Sequence, residues 1–114
     1  MDIEIFKGSI DVIILCTLDS RTSYGYEISK LIKEESNNSY EIAEGTLYSS
    51  LKRLENKGLI TSFWNLKEER FRKYYNITPL GRNHLQEKVS GIKNLNAFLE
   101  KLTGDSIWMN FKYT

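Results

Sequence analysis

Few side chains in this sequence are equipped for bond-making chemistry. The 114 residues include one cysteine, Cys16, and one histidine, His84. A metal centre ordinarily recruits several histidines or a cysteine cluster, so no metal site is expected. No serine stands in a Gly-x-Ser-x-Gly setting, and no glycine-rich phosphate loop is present. Neither catalysis nor a cofactor is expected on these grounds. Cys16 closes the apolar run that begins at Val12 and reads as a small core residue, while His84 reads as a surface or interface residue of a helix.

A different chemistry, neutralisation of a polyanion, has better material. Leu47, Leu51 and Leu54 recur at helical spacing and define one buried stripe. At about 100° per residue, Gly45, Thr46, Ser49, Lys52, Arg53 and Asn56 then face away from it. That opposite face is small and polar at its start and cationic further on. Lys67, Arg70, Arg72 and Lys73 form a second basic cluster. The formal net charge is only +1, but the charges are segregated. Residues 1–43 carry four basic and eight acidic side chains, and residues 44–82 carry eight and four. The balance therefore moves from −4 to +4 along the chain, which matters only if the basic segments share a surface.

The elements that would position these residues can be read in order. Ile10, Val12, Ile13, Ile14, Leu15 and Leu18 make a densely apolar helix ended by the polar run from Asp19 to Ser23. A second helix follows, with Ser23 as N-cap and Ile28, Leu31 and Ile32 on one face. Tyr40, Glu41 and Ile42 alternate as a short strand would. The third helix is expected over 44–57, with Gly58 as its left-handed terminator. Runs over 59–66 and 71–77 are aromatic and β-branched, and the polar link between them makes a β-hairpin. Tyr48, Tyr74 and Tyr75 are expected to place their rings in the core and their hydroxyls in water.

Thr78 and Pro79 open a last helix as N-cap and first helical residue. Along it Leu85, Val89, Ile92, Leu95, Leu99 and Leu102 recur at steps close to a coiled-coil seam. A seam of that length exceeds what a small domain covers alone, so a second copy of the chain is the expected partner. The fold class is mainly α with a small β-hairpin, a winged helix-turn-helix followed by a long C-terminal helix. Three segments follow: a winged-helix DNA-binding domain over 1–78, a dimerisation helix over 79–104 and an aromatic-rich tail over 105–114. The longest apolar run is five residues, whereas a membrane span needs about twenty. Asp2 and Glu4 stand where a secretory signal would be basic, and a cytoplasmic location is expected.

Several fragments, in order and at intact spacing, also resemble a family. They are Tyr24-Gly25-Tyr26-Glu27-Ile28, Gly45-Thr46-Leu47-Tyr48 running into Leu51-Lys52-Arg53-Leu54-Glu55, Gly58-Leu59-Ile60, and Arg72-Lys73-Tyr74-Tyr75 with Thr78 and Gly81. Together they resemble PadR-like transcriptional regulators, in particular the small subfamily with a single C-terminal helix. The resemblance implies a homodimeric bacterial regulator, usually a repressor, that binds an inverted-repeat operator in double-stranded DNA and is released by a small hydrophobic effector. In such a protein Thr46, Ser49 and Tyr48 would meet base edges or nearby phosphates, and Gly45 would keep the backbone close to the duplex. Lys52, Arg53, Arg70, Arg72 and Lys73 would neutralise phosphates, and Tyr24 and Tyr26 would donate hydroxyls to the backbone.

Two features depart from the family. The hairpin link 67–70 lacks glycine, and Ile92 stands where ligand-binding relatives carry a stacking aromatic. An effector pocket, if built, would involve Ile92 and Trp108 of the tail. The competing reading is a winged-helix module for protein association that does not bind DNA, which the near-neutral charge favours.

Overall fold

The structure, a computed structural model, describes residues 3–104. A short helix α1 (Ile3–Gly8) leads into α2 (Ile10–Ser20), whose Ile14, Leu15 and Leu18 are buried at the centre of the core. The Thr17 hydroxyl, also buried, donates to the Ile14 carbonyl at 2.7 Å, so the polar group brings its own partner inside. Helix α3 (Gly25–Glu35) adds Ile28 and Ile32. Its first turn is held by the Glu27 carboxylate, which accepts from the Tyr24 backbone N–H at 3.2 Å. Asn37 and Asn38 both take left-handed backbone conformations, which ends the helix.

Helix α4 (Glu44–Asn56) buries Leu47, Leu51 and Leu54, the stripe expected from their spacing. Gly58, at φ +76°, lets the Leu59 N–H turn back to the Leu54 carbonyl at 3.0 Å and redirects the chain into the sheet. Strands β2 (Ile60–Lys67) and β3 (Arg70–Ile77) pair antiparallel in a single register, Ile60 opposite Ile77 through Lys67 opposite Arg70. A two-residue strand β1 (Ser23–Tyr24) completes the sheet in the order β1-β3-β2. Helix α5 (Pro79–Thr103) starts where the Thr78 hydroxyl accepts from the Gly81 N–H at 3.0 Å and donates to the Gly58 carbonyl at 2.7 Å. That hydroxyl joins the end of α4 to the start of α5, and Gly81 lies against the Leu59 carbonyl.

Several expectations are corrected. The third strand is Ser23–Tyr24 and not 40–42, which forms no strand; Ile42 is instead buried as a core anchor. Ser23 accordingly belongs to the sheet, and Tyr24 occupies the N-cap position of α3. Cys16 is exposed on the single chain rather than buried. Helix α1 had no counterpart in the sequence reading; it is anchored by Phe6, stacked on Tyr40 with ring centroids 4.2 Å apart. Among the described residues no helix is long and apolar enough to cross a membrane, and no group of potential ligands could hold a metal ion.

Candidate nucleic-acid interface

The packing of α4 divides its residues into three strips. Leu47, Ser50, Leu51 and Leu54 are buried. Along the outer ridge lie Gly45, Ser49, Lys52 and Asn56, all exposed. A Cβ added to Gly45 would meet nothing within 4 Å, so the chain's own packing does not require glycine there. The two flanks border separate grooves. Thr46 and Arg53 line one, walled on its far side by α1 and the start of α2. Tyr48 and Lys52 line the other, of about 680 Å³, whose far wall is the hairpin with Trp64, Phe71, Arg72 and Lys73. The ridge of α4 therefore projects between two troughs, with cations in both.

Carboxylates already occupy part of this basic equipment. Arg53 makes an ion pair with Asp11 of α2 and also donates to the Ser50 hydroxyl at 3.3 Å. Lys73 lies 3.9 Å from the Glu55 carboxylate. Lys67 is 3.5 Å from Glu27, whose negative charge is the main cause raising the Lys67 pKa above its ordinary value. Among the described residues Lys52, Arg70 and Arg72 have no carboxylate partner. Arg72 instead lies over the Tyr24 ring, 4.5 Å from its centroid.

The tyrosines separate into two kinds. Tyr26 is exposed and faces the hairpin-side groove. Tyr24 meets Tyr74 edge to face at 5.4 Å, and Tyr74 stacks on Phe63, so a row of rings braces the sheet. Tyr75 is buried as expected, but Tyr48 is half exposed, its ring lying against Gly25, where any Cβ would collide with it. A side chain at position 25 would therefore have to displace the Tyr48 ring, a dependence that spacing along the chain does not reveal.

The hairpin holds residues that the sequence reading passed over. Register alternation places Trp64, Leu66, Phe71 and Lys73 on the face that continues from buried Ile60 and Tyr75. Asn65, Lys67, Arg70 and Arg72 lie on the opposite face. The aromatic content of these strands signals strands in the sequence, and their alternation is legible there too. On α5 the seam divides. Leu85 is buried in the chain's own core, and Val89, half-buried, packs against that core. Ile92, Leu95, Leu99 and Leu102 are exposed, together with Phe98, which the seam had omitted. Trp108, proposed with Ile92 for an effector pocket, lies outside the described residues, as does the rest of the tail.

A helix-turn-helix of α3 and α4 flanked by a two-stranded wing defines a winged-helix protein. The profile of the Transcriptional regulator PadR-like family matches residues 14–87, and the chain belongs to that family. A transcriptional regulator from Clostridium thermocellum is 39% identical, with 86% of this chain and 96% of that one covered at a TM-score of 0.78. Transcriptional regulator Rv3488 of Mycobacterium tuberculosis is 38% identical over 65 residues, covering 57% of this chain and 61% of that protein. Bacillus subtilis PadR, solved in complex with operator DNA, is 26% identical with a TM-score of 0.64. The match covers 70% of this chain and 46% of that structure.

Proposed function

We propose that this protein is a sequence-specific regulator that binds double-stranded DNA as a homodimer, acting as a repressor at an inverted-repeat operator. The observation that carries the reading is the outer ridge of α4, where Gly45, Ser49 and Lys52 stand exposed between two troughs containing cations. A helix so presented fits a major groove, with Ser49 and Thr46 at base edges and Lys52, Arg53, Arg70, Arg72 and Lys73 toward phosphates. That the similar Bacillus subtilis PadR was solved in complex with operator DNA supports DNA as the partner. Two copies related by a twofold axis through α5 would present the ridge twice, matching an inverted repeat. Release by a small hydrophobic effector belongs to the same proposal; its support is the resemblance to ligand-responsive relatives, and Ile92 excludes the stacking mode of an aromatic there.

The ion pairs refine which cations dominate. Phosphate contact by Arg53 or Lys73 requires exchanging Asp11 or Glu55 for DNA, whereas Lys52 has no carboxylate to leave. Titration of duplex from upstream of its own gene, repeated at several salt concentrations, tests this order. Lys52→Ala should lower affinity and reduce the slope of log K against log salt by about 0.9, the value of one phosphate contact. Arg53→Ala should reduce the slope less, and Ser49→Ala should relax sequence preference with little change in slope. Absence of salt-dependent duplex binding would favour the protein-association reading instead.

A further inference from the structure

The two troughs beside α4 differ in charge. Of the charged residues lining the hairpin-side trough, Lys52, Arg72 and Lys73 stand against the carboxylate of Glu55. In the trough beside α1, Lys7 and Arg53 stand against Asp11 and Glu41, so its lining carries no net charge. Glu41 is engaged elsewhere, 3.8 Å from Lys33. Asp11 is the carboxylate that reaches across to α4. Its Oδ2 accepts from the Arg53 Nε at 3.4 Å and its Oδ1 from Nη2, which also donates to the Ser50 hydroxyl. A guanidinium grips a phosphate through the same bidentate fork, so carboxylate and phosphate compete for it. The paired side chains are 47% and 31% exposed, and an ion pair so open to water adds little to the stability of the fold.

We infer that Asp11 is a specificity-determining residue of the interface: its carboxylate withholds Arg53 from phosphates until α4 is fully seated, so that duplex of the wrong sequence gains little from that cation. This deepens the DNA-binding reading and rests on it. Binding to arbitrary sequence is driven by neutralising phosphates, and a cation already neutralised by a carboxylate contributes little to counterion release as a duplex approaches. The correct sequence adds base-edge contacts by Thr46 and Ser49, which line the same trough as Arg53. Those contacts draw the helix into the groove, bring a phosphate within reach of the Arg53 fork, and let it replace Asp11. Asp11 thus acts through Arg53 without touching DNA, as a positioning residue. A carboxylate in the first turn of α2 also suits the helix dipole, but that role acts on folding and does not distinguish one duplex from another.

Titration with duplex from upstream of its own gene, and with a scrambled duplex of equal length, each over a range of salt, tests the assignment. Asp11→Asn keeps the shape of the side chain and removes its charge; Asp11→Ser is the second neutral variant should the first fold poorly. Affinity for the scrambled duplex should rise about threefold at low salt, as expected for release of a surface ion pair, and its salt slope should steepen by up to about 0.9. Affinity for the upstream duplex should rise less, so the ratio of the two falls. Asp11→Glu, which restores the carboxylate, should restore the parent's ratio. In an Arg53→Ala background, Asp11→Asn should change neither affinity nor slope. An unchanged ratio in Asp11→Asn, weaker binding to both duplexes, or an effect that persists without Arg53 would overturn the inference while leaving the broader reading in place. A parent protein that binds neither duplex, or both equally, would instead remove the sequence-specific DNA-binding reading.

Discussion

Gly45 and Gly81 sit in helices for opposite reasons, and substitution by alanine separates them. At Gly45 a methyl group meets open space, so Gly45→Ala should stabilise the fold by about 0.4–1 kcal/mol in urea unfolding. If the α4 backbone approaches a duplex there, the same change should weaken binding, so stability and affinity move in opposite directions. At Gly81 the methyl carbon would fall 1.9 Å from the Leu59 carbonyl oxygen, and the neighbour is backbone that cannot swing aside. Gly81→Ala should therefore destabilise by about 1–3 kcal/mol or more. Tyr75 supplies a pH test. Burial, followed by the Glu55 carboxylate and Tyr48, raises its phenol above the ordinary value of 10.0. A group harder to ionise in the folded chain contributes its full stability below the unfolded pKa and loses it as pH climbs through the folded one. Tyr75→Phe should thus flatten the fall in urea midpoint between about pH 9 and about pH 11. Residue identity alone misjudged Cys16 and Tyr48, because exposure at the edge of a helix depends on what packs beside it. The Cys16 thiol is nonetheless pushed up by partial burial and then by Asp19, which keeps it protonated at neutral pH.

Elements with strong internal signals were legible. The stripe of α4, the Gly58 terminator, the Thr78-Pro79 start of α5 and the hairpin strands all lie within a residue or so of where spacing put them. The elements that went unread were α1 and β1, which are short and owe their existence to distant partners. Ser23 pairs with Tyr75 and Tyr24 with Tyr74, more than fifty residues away. The wing turn is a further case: Glu68 and Glu69 hold φ of 52° and 64°, the left-handed pair demanded by a two-residue hairpin without glycine. Each such residue costs about 1–2 kcal/mol relative to one that accepts the conformation freely. Replacing the pair with Asn-Gly should raise the urea midpoint and leave the register intact, as amide exchange along β2 and β3 would report.

At the scale of the whole molecule, the long axis of 55 Å is set by α5, whose outer turns leave Ile92, Leu95, Phe98, Leu99 and Leu102 between 50% and 66% exposed. Covering that surface is the work proposed for a second copy. The joint change Leu95→Glu and Leu99→Glu should convert a species near twice 13.3 kDa into one near 13.3 kDa in sedimentation. It should also weaken operator binding, since one copy reaches only one half-site. By itself, the amino-acid order determined the helical stripes and the hairpin, because these follow from spacing between near neighbours. What it left open was where the charges meet. The acidic first third and the basic middle third are separate in the sequence, yet the fold sets Asp11 against Arg53 and Glu27 against Lys67. Among the cations of α4 and the wing, it thereby leaves Lys52, Arg70 and Arg72 without carboxylate partners among the described residues. Coulombic pairing acts through space at a few ångströms, so only the tertiary structure could decide which charges cancel and which stay free for a ligand.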